Sequence, residues 1–398
     1  MFVNVEIGYL DIMYSPNCIG SITESTILET LSDGKFARVY LGKERNAVSN
    51  SKSAYKVIKV YPREKSKSRS HRIISEKAVM QRVVIENNPY VAKLLFTTKD
   101  SDNLYFVMEA YQCGHLNLHI QGSEHGRMSA VVTRNYAAEI VSALLSLMKC
   151  GCMHRDIKPK NILVDKSGHL KICDFGCSKV LFDTDQHETI RLGGASISPR
   201  TFSIIGTKHY MAPEIIAKSC GYSLPVDWWA LGVVIFEMLC GALPIFKGAC
   251  CLDNESAIEL ASRGDWPDQV TSLTALNAVR TKSPLAQDLS TLSSRDWSPV
   301  LSSSNAAVLS ASSLHSAGWM LIQSFLIPCP EERLGPWNAG ILKDHPFFNG
   351  VNWAEVDAGI SPPPDSSFNR HLGFDFDDLS DGSVSSADDH NSHIFNGF

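Results

Sequence analysis

Short runs in which apolar and polar positions alternate come first along the chain, and stripes at helical spacing follow. Between about residues 27 and 110 the β-rich runs are Ala37–Leu41, Ala54–Val60, Val91–Phe96 and Leu104–Met108, and β-branched or aromatic runs of this length predict strands. In Ala54-Tyr55-Lys56-Val57-Ile58 a period of two places Lys56 on one face with Ala54 and Ile58. A basic loop, Arg63 to Arg72, leads into a predicted helix, where Ile73, Glu76, Met80 and Val83 share one stripe. Beyond about residue 130 the pattern is mainly helical. Ile140, Val141, Leu144, Leu145 and Met148 form an amphipathic stripe that stops near Gly151. Two short strands, Ile162–Val164 and Leu170–Ile172, are joined by the turn Lys166-Ser167-Gly168. The segment Trp229 to Phe246 is apolar enough to resemble a membrane span. Glu237, Gly232, Gly241 and Pro244 interrupt it and Asp227 precedes it, so a buried core helix is predicted instead.

Composition narrows the class. At 398 residues the chain can bury a core without disulfide or metal staples, as one large or two medium domains. With 44% hydrophobic and 20% charged residues it is neither wholly disordered nor collagen-like. A net charge of −5 argues against a nucleic-acid partner, which would require a basic surface. The 11 cysteines are odd in number and contain no Cys-x-x-Cys pair, which fits reduced thiols and an intracellular location, cytoplasmic or nuclear. No basic stretch leads into an apolar one at the N-terminus, so no signal peptide is expected. Ser- and Thr-rich stretches at about 183–203 and 270–315 read as surface insertions.

The chemistry is concentrated in ordered motifs. His154-Arg155-Asp156-Ile157-Lys158-Pro159-Lys160-Asn161 is followed by Asp174-Phe175-Gly176 and by Ala212-Pro213-Glu214. Phosphoryl transfer is catalysed by positioning and charge stabilisation, which requires metal ligands, a phosphate-binding cation and an oriented hydroxyl. Asn161 and Asp174 are short oxygen donors suited to Mg²⁺, and Asp156 is suited to accept or orient a hydroxyl proton. The set resembles the eukaryotic serine/threonine protein kinases, more narrowly the AGC group that includes protein kinases A, B and C, with a leaning toward its S6-kinase-related branch. The resemblance implies an α+β, two-lobed kinase fold. Its parts would be an N-terminal segment 1–25, a kinase domain 26–348 (a β-rich lobe about 26–110 and a mainly helical lobe about 111–348) and an AGC-type tail 349–398.

It also implies roles, residue by residue. Lys56 is expected to hold the α- and β-phosphates of ATP, with Glu76, 20 positions on, as its ion-pair partner. Lys158 would sit beside the transferred phosphate. Met80, Leu94, His154 and Phe175 would fill a hydrophobic spine. The family's Gly-x-Gly-x-x-Gly-x-Val is reduced here to Ser32-Asp33-Gly34-Lys35-Phe36-Ala37-Arg38-Val39, keeping only the middle glycine, so a stiffer phosphate loop around Ser32, Gly34, Ala37 and Val39 is expected. Around adenine the expected residues are Ala54, Met108 as gatekeeper, and the backbone of Glu109 and Tyr111. Cys173, just before Asp174, is either a thiol facing the ATP pocket near Lys56 or a small buried filler.

Regulation and specificity follow from the same likeness. Ser203 matches the activation-loop phosphoacceptor, with Arg155, Arg72 and Lys171 as receiving cations and an upstream kinase as the implied partner. Thr207 would contact Asp156 and Lys158, and Lys208 replaces a proline usual in the family. Asp227 would anchor the catalytic loop's backbone, and Glu214 would pair with Arg333. Phe376 in Phe376-Asp377-Asp378-Leu379 would close over ATP, and Phe395 with Phe398 would form a hydrophobic docking motif. His115 and Lys160 stand where basophilic relatives carry carboxylates, with Glu259 as the matching third, so weak selection for basic residues in protein substrates is expected. Two readings stay open at this point: an active kinase using ATP and Mg²⁺, or a pseudokinase scaffold on the same fold. Oligomeric state is not legible.

Overall fold

The computed structural model describes residues 25–34, 36–44, 55–66, 70–182, 199–217, 221–244, 311–335 and 339–364. They pack as two compact units. One comprises described residues up to 119 together with 159–180, and the other comprises 120–158 and those from 181 to 364.

The first unit is built on a five-stranded antiparallel sheet. Its strands are β1 (Ser25–Asp33), β2 (Arg38–Glu44), β3 (Tyr55–Pro62), β4 (Leu94–Lys99) and β5 (Asn103–Glu109), in the order β1-β2-β3-β5-β4. Three of the predicted runs fall on β2, β3 and β5. The run from Val91 begins too early, because Val91 makes only an isolated bridge to Ile172 and the strand starts at Leu94. β1 was not among the predicted runs. Its register against β2 slips twice, between Ile27 and Glu29 and between Thr30 and Ser32, so its apolar residues lose strict alternation. One helical turn, Arg63–Ser66, precedes α1 (Ser70–Glu86), which buries the predicted stripe Ile73, Glu76, Met80 and Val83 and, beside it, Val79.

The hairpin of β6 (Ile162–Val164) and β7 (Leu170–Ile172) belongs to this unit despite its place far along the chain. Backbone bonds tie it there: Ala92 N–H to the Ile172 carbonyl at 2.9 Å, Ile172 N–H to that of Tyr90 at 2.8 Å, and Val164 N–H to that of Gly114 at 2.9 Å.

The second unit is helical. Its main elements are α2 (Ala130–Lys149), α3 (Pro225–Cys240), α4 (Ala311–Phe325) and α5 (Trp353–Ala358). Ser129 caps α2 by accepting the Val132 N–H, and Pro225 starts α3, where a missing N–H costs nothing. α3 is buried almost all round, as an apolar core helix should be. Gly232 lets α4 approach it: a Cβ there would lie 2.8 Å from that of Phe325. Among the described residues no helix is long and apolar enough to cross a membrane.

Candidate active site

The strand lysine is Lys59 and not Lys56. Lys59 Nζ donates to Glu76 Oε1 at 2.8 Å and to Asp174 Oδ1 at 3.1 Å. Lys56 lies an odd number of residues away and therefore faces the other way, on a less buried side of β3. Tyr55, Val57, Lys59 and Tyr61 form the face that is buried throughout, and only a lysine on that face meets α1. The signal was present in Val57-Ile58-Lys59, which fits the motif Val-Ala-Ile-Lys better than Ala54-Tyr55-Lys56 does. Burial disfavours the Lys59 ammonium, but Asp174 and Glu76 outweigh it and hold the pKa well above the usual lysine value.

Three motif residues distant in sequence thus meet in one buried network. Asp174 sits in a left-handed backbone conformation (φ 58°), and Gly176 N–H donates to its Oδ1 at 3.3 Å. Asn161, fully buried, and Asp174 supply hard oxygen donors within one unit. Among the described residues no group of three His, Cys, Asp or Glu side chains could cage a metal. That donor set fits Mg²⁺, which takes few protein ligands and completes its shell with phosphate and water oxygens.

The phosphate turn closes through Gly34, whose N–H donates to the Ala37 carbonyl at 3.0 Å. A Cβ on Gly34 would lie 3.0 Å from the same oxygen, so a side chain there would have to push the turn open by a few tenths of an ångström. Ser32 pairs with Val39 across the hairpin. Val39 packs with Leu31, Leu41, Tyr55 and Val57, and Met108 and Ala110 lie against that cluster. Two of the residues expected to bind the nucleotide, Val39 of the phosphate loop and Met108 beside adenine, are therefore brought together, and Val57 joins them. Ala54 and Phe376 lie outside the described residues, as do Phe395, Phe398 and Glu259. Glu109 spends its N–H on the Lys93 carbonyl at 3.1 Å. The Tyr111 hydroxyl donates to Glu109 Oε2 at 2.9 Å and accepts the Lys93 N–H at 3.3 Å. Cys173 is buried with Ala92 and Leu163 under Tyr111, the small-filler alternative.

In the second unit Asp227 accepts the His154 and Arg155 N–H groups, both at 2.7 Å, and so sets the backbone that presents Asp156. Burial pushes the Asp227 carboxyl up, and His154 and these amides pull against that rise. Asp156 Oδ2 accepts from Lys158 Nζ at 2.9 Å, and its Oδ1 accepts from the Thr207 hydroxyl at 2.7 Å. Thr207 Oγ1 in turn accepts from Lys158 at 2.8 Å, closing a triangle. Arg333 forks onto Glu214 at 2.7 and 3.0 Å, with no exposure of its own side chain.

Arg155 Nη1 donates to Ser203 Oγ at 3.0 Å and to the Tyr222 hydroxyl at 3.2 Å, and Tyr222 donates to the Ser203 carbonyl at 2.5 Å. In the first unit Lys171 donates to the Pro89 carbonyl and pairs with Asp165 Oδ2 at 3.4 Å. Lys208–Tyr210 forms a single 3₁₀ turn, and the Tyr210 hydroxyl donates to Glu237 at 2.6 Å. Five residues of these contacts were missed as site residues in the sequence: Lys59, Tyr61, Tyr210, Tyr222 and Glu237. The last four carry no local pattern, because each is identified by a partner that only the fold supplies.

Residues 25–348 match the family described as Protein kinase domain. The cAMP-dependent protein kinase catalytic subunit PRKX of Mus musculus is 32% identical over 349 residues, which is 86% of this chain and 78% of the relative. Ribosomal protein S6 kinase alpha-4 of Mus musculus is 28% identical over 348 residues (86% of this chain, 37% of the relative). Probable serine/threonine protein kinase IRE4 of Arabidopsis thaliana is 30% identical over 369 residues (87% and 30%). The chain thus spans most of the first relative and less than half of the other two. The ordered motifs, the geometry that joins them and these likenesses agree: the chain belongs to the protein kinase family, as a serine/threonine kinase of the AGC group.

Proposed function

We propose that this kinase's ATP-dependent phosphorylation of protein Ser and Thr hydroxyls is carried by Lys59, Asp156, Lys158, Asn161 and Asp174. Lys59, held by Glu76, binds the α- and β-phosphates. Asn161 and Asp174 hold Mg²⁺, which when bound offsets the negative charge of the phosphates. Asp156 orients the substrate hydroxyl and takes its proton as that oxygen bonds to phosphorus and the bond to the ADP oxygen breaks. Lys158 offsets charge on the group in transit, and Thr207 keeps both side chains in register. The observation that carries this reading is the buried ammonium of Lys59 joined at once to Glu76 and Asp174, an arrangement suited to phosphate binding. Nothing in the site favours the pseudokinase alternative, since each of the five chemical positions is filled by the residue type the reaction needs.

For substrates, weak selection of arginine near the acceptor remains the reading. His115 is buried, burial and Lys160 hold its pKa down to about 4, and Lys160 is exposed and cationic. Transfer of labelled γ-phosphate tests the central claim. Asp156→Asn should lower kcat by at least about 10², and Asp174→Asn should abolish most transfer. Wild type and Asp174→Asn transferring equally little phosphate would end the active reading.

A further inference from the structure

Glu76 has two carboxylate oxygens, and different donors take them. Lys59 Nζ holds Oε1 at 2.8 Å, and the Tyr61 hydroxyl donates to Oε2 at 2.5 Å. Both donors stand on β3 two residues apart, so the pleat turns them to one face. Glu76 is 2% exposed and Tyr61 6%. The Tyr61 ring packs edge-on against Phe106, with centroids 5.5 Å apart, and Lys59 Nζ lies 5.5 Å from the Tyr61 ring centre. Burial raises the Tyr61 pKa far beyond the usual phenol value, so the hydroxyl keeps its proton to donate.

The two donors differ mechanically. Lysine is a point charge on a flexible four-carbon stem, and alone it would let the carboxylate pivot about Oε1. Tyrosine reaches the other oxygen from a rigid ring wedged in the core. A hydrogen bond to a charged, buried group is also of the strong class. Gly176 completes the fit: a Cβ there would lie 3.2 Å from Asp174 Oδ1 and 3.6 Å from both Glu76 Oε2 and Lys59 Nζ.

We propose that Tyr61 is a positioning residue for phosphoryl transfer: its hydroxyl locks the Glu76 carboxylate, and through it Lys59 beside Asp174, so that α1 is fastened to β3 at two atoms. The inference rests on Lys59 being the phosphate-binding lysine. Tyr61→Phe keeps the ring and removes only the hydroxyl. It should lower kcat/KM for ATP by about tenfold, the weight of one charge-assisted bond. In a Glu76→Ala background the same change should cost less than about twofold, because the atom it acts through is gone. Thermal melts of all four proteins accompany the kinetics. Equal losses in both backgrounds would mean that the hydroxyl serves packing, and would overturn the proposal. So would an unaltered kcat/KM in Tyr61→Phe, or the absence of a cooperative melt in that variant. If wild type transfers phosphate and Asp174→Asn does not while Tyr61→Phe equals wild type, the kinase reading stands and this inference alone falls. If wild type transfers no more than Asp174→Asn, both fall.

Discussion

Lys56 and Lys59 lie three positions apart on one strand and face opposite ways, and the charge each can use differs accordingly. Lys59 is buried against two carboxylates and remains cationic at any working pH, because those carboxylates raise its pKa further. Lys56 is half-exposed and lies opposite Gly42 and Glu109 in the sheet register. Lys59→Met should therefore lower kcat by at least about 10², whereas Lys56→Met should stay within about threefold of wild type. Steady-state kinetics on both variants checks this, and the reverse ranking would restore Lys56 to the site.

Between elements, two contacts bear different loads. Arg333 is clamped to Glu214 inside the helical unit, with its guanidinium over the Trp229 ring at 5.2 Å. Glu214→Ala would leave that guanidinium buried without its carboxylate, at a cost of roughly 3–5 kcal/mol. The thermal midpoint should fall by several degrees, and an unchanged melt would contradict the burial argument. The contact of Arg155 with Ser203 and Tyr222 is of another kind. It places a guanidinium 3.0 Å from the hydroxyl of a candidate phosphoacceptor, on a segment paired backbone to backbone through Thr201 and Tyr222. A phosphate on Ser203 would gain a charge-assisted bond there. Ser203→Ala should then be well below phosphorylated wild type in activity, and mass spectrometry of fully active enzyme should find Ser203 modified. Active enzyme with Ser203 unmodified would remove the switch.

On the scale of the whole molecule, the residues proposed for the reaction fall in both packing units. Asn161 and Asp174 go with the sheet, and Asp156 and Lys158 go with the helices. Each unit also holds a histidine that its surroundings keep neutral: His115, buried, in the first, and His345, half-buried and accepting the Phe347 N–H, in the second. Burial lowers both to about 4 from an ordinary 6.5, with Lys160 adding to the effect at His115. A histidine lowered on folding contributes stability above its unfolded pKa and loses it as pH falls toward the folded one. Stability should thus be level above about pH 6.5 and decline from there toward about pH 4, with His115 alone accounting for on the order of 3 kcal/mol. Thermal midpoints measured from pH 7.5 down to 5, above the main carboxylate range, test this. A flat curve in wild type, or an equal slope in His115→Gln, would dismiss the role of His115.

Local chemistry was legible where the reaction demands fixed residue types at short spacing. Asp156, Lys158 and Asn161 fall within one six-residue stretch, and Asp174 begins another. Helical stripes were legible too, since Ile73, Glu76, Met80 and Val83 repeat over several turns and leave only one face to bury. The phase of β3 was not. Val57 and Ile58 are both buried, so the strand is apolar on both faces, and an alternating pattern gives a period without saying which face meets the helix. Packing against α1 decided that, and with it the choice of Lys59 over Lys56. Tyr61 on Glu76, Tyr222 on Arg155 and Tyr210 on Glu237 were decided the same way. A hydrogen-bonding side chain carries no mark of its distant partner in the sequence, and it acquires one only when the fold buries both and each must be satisfied.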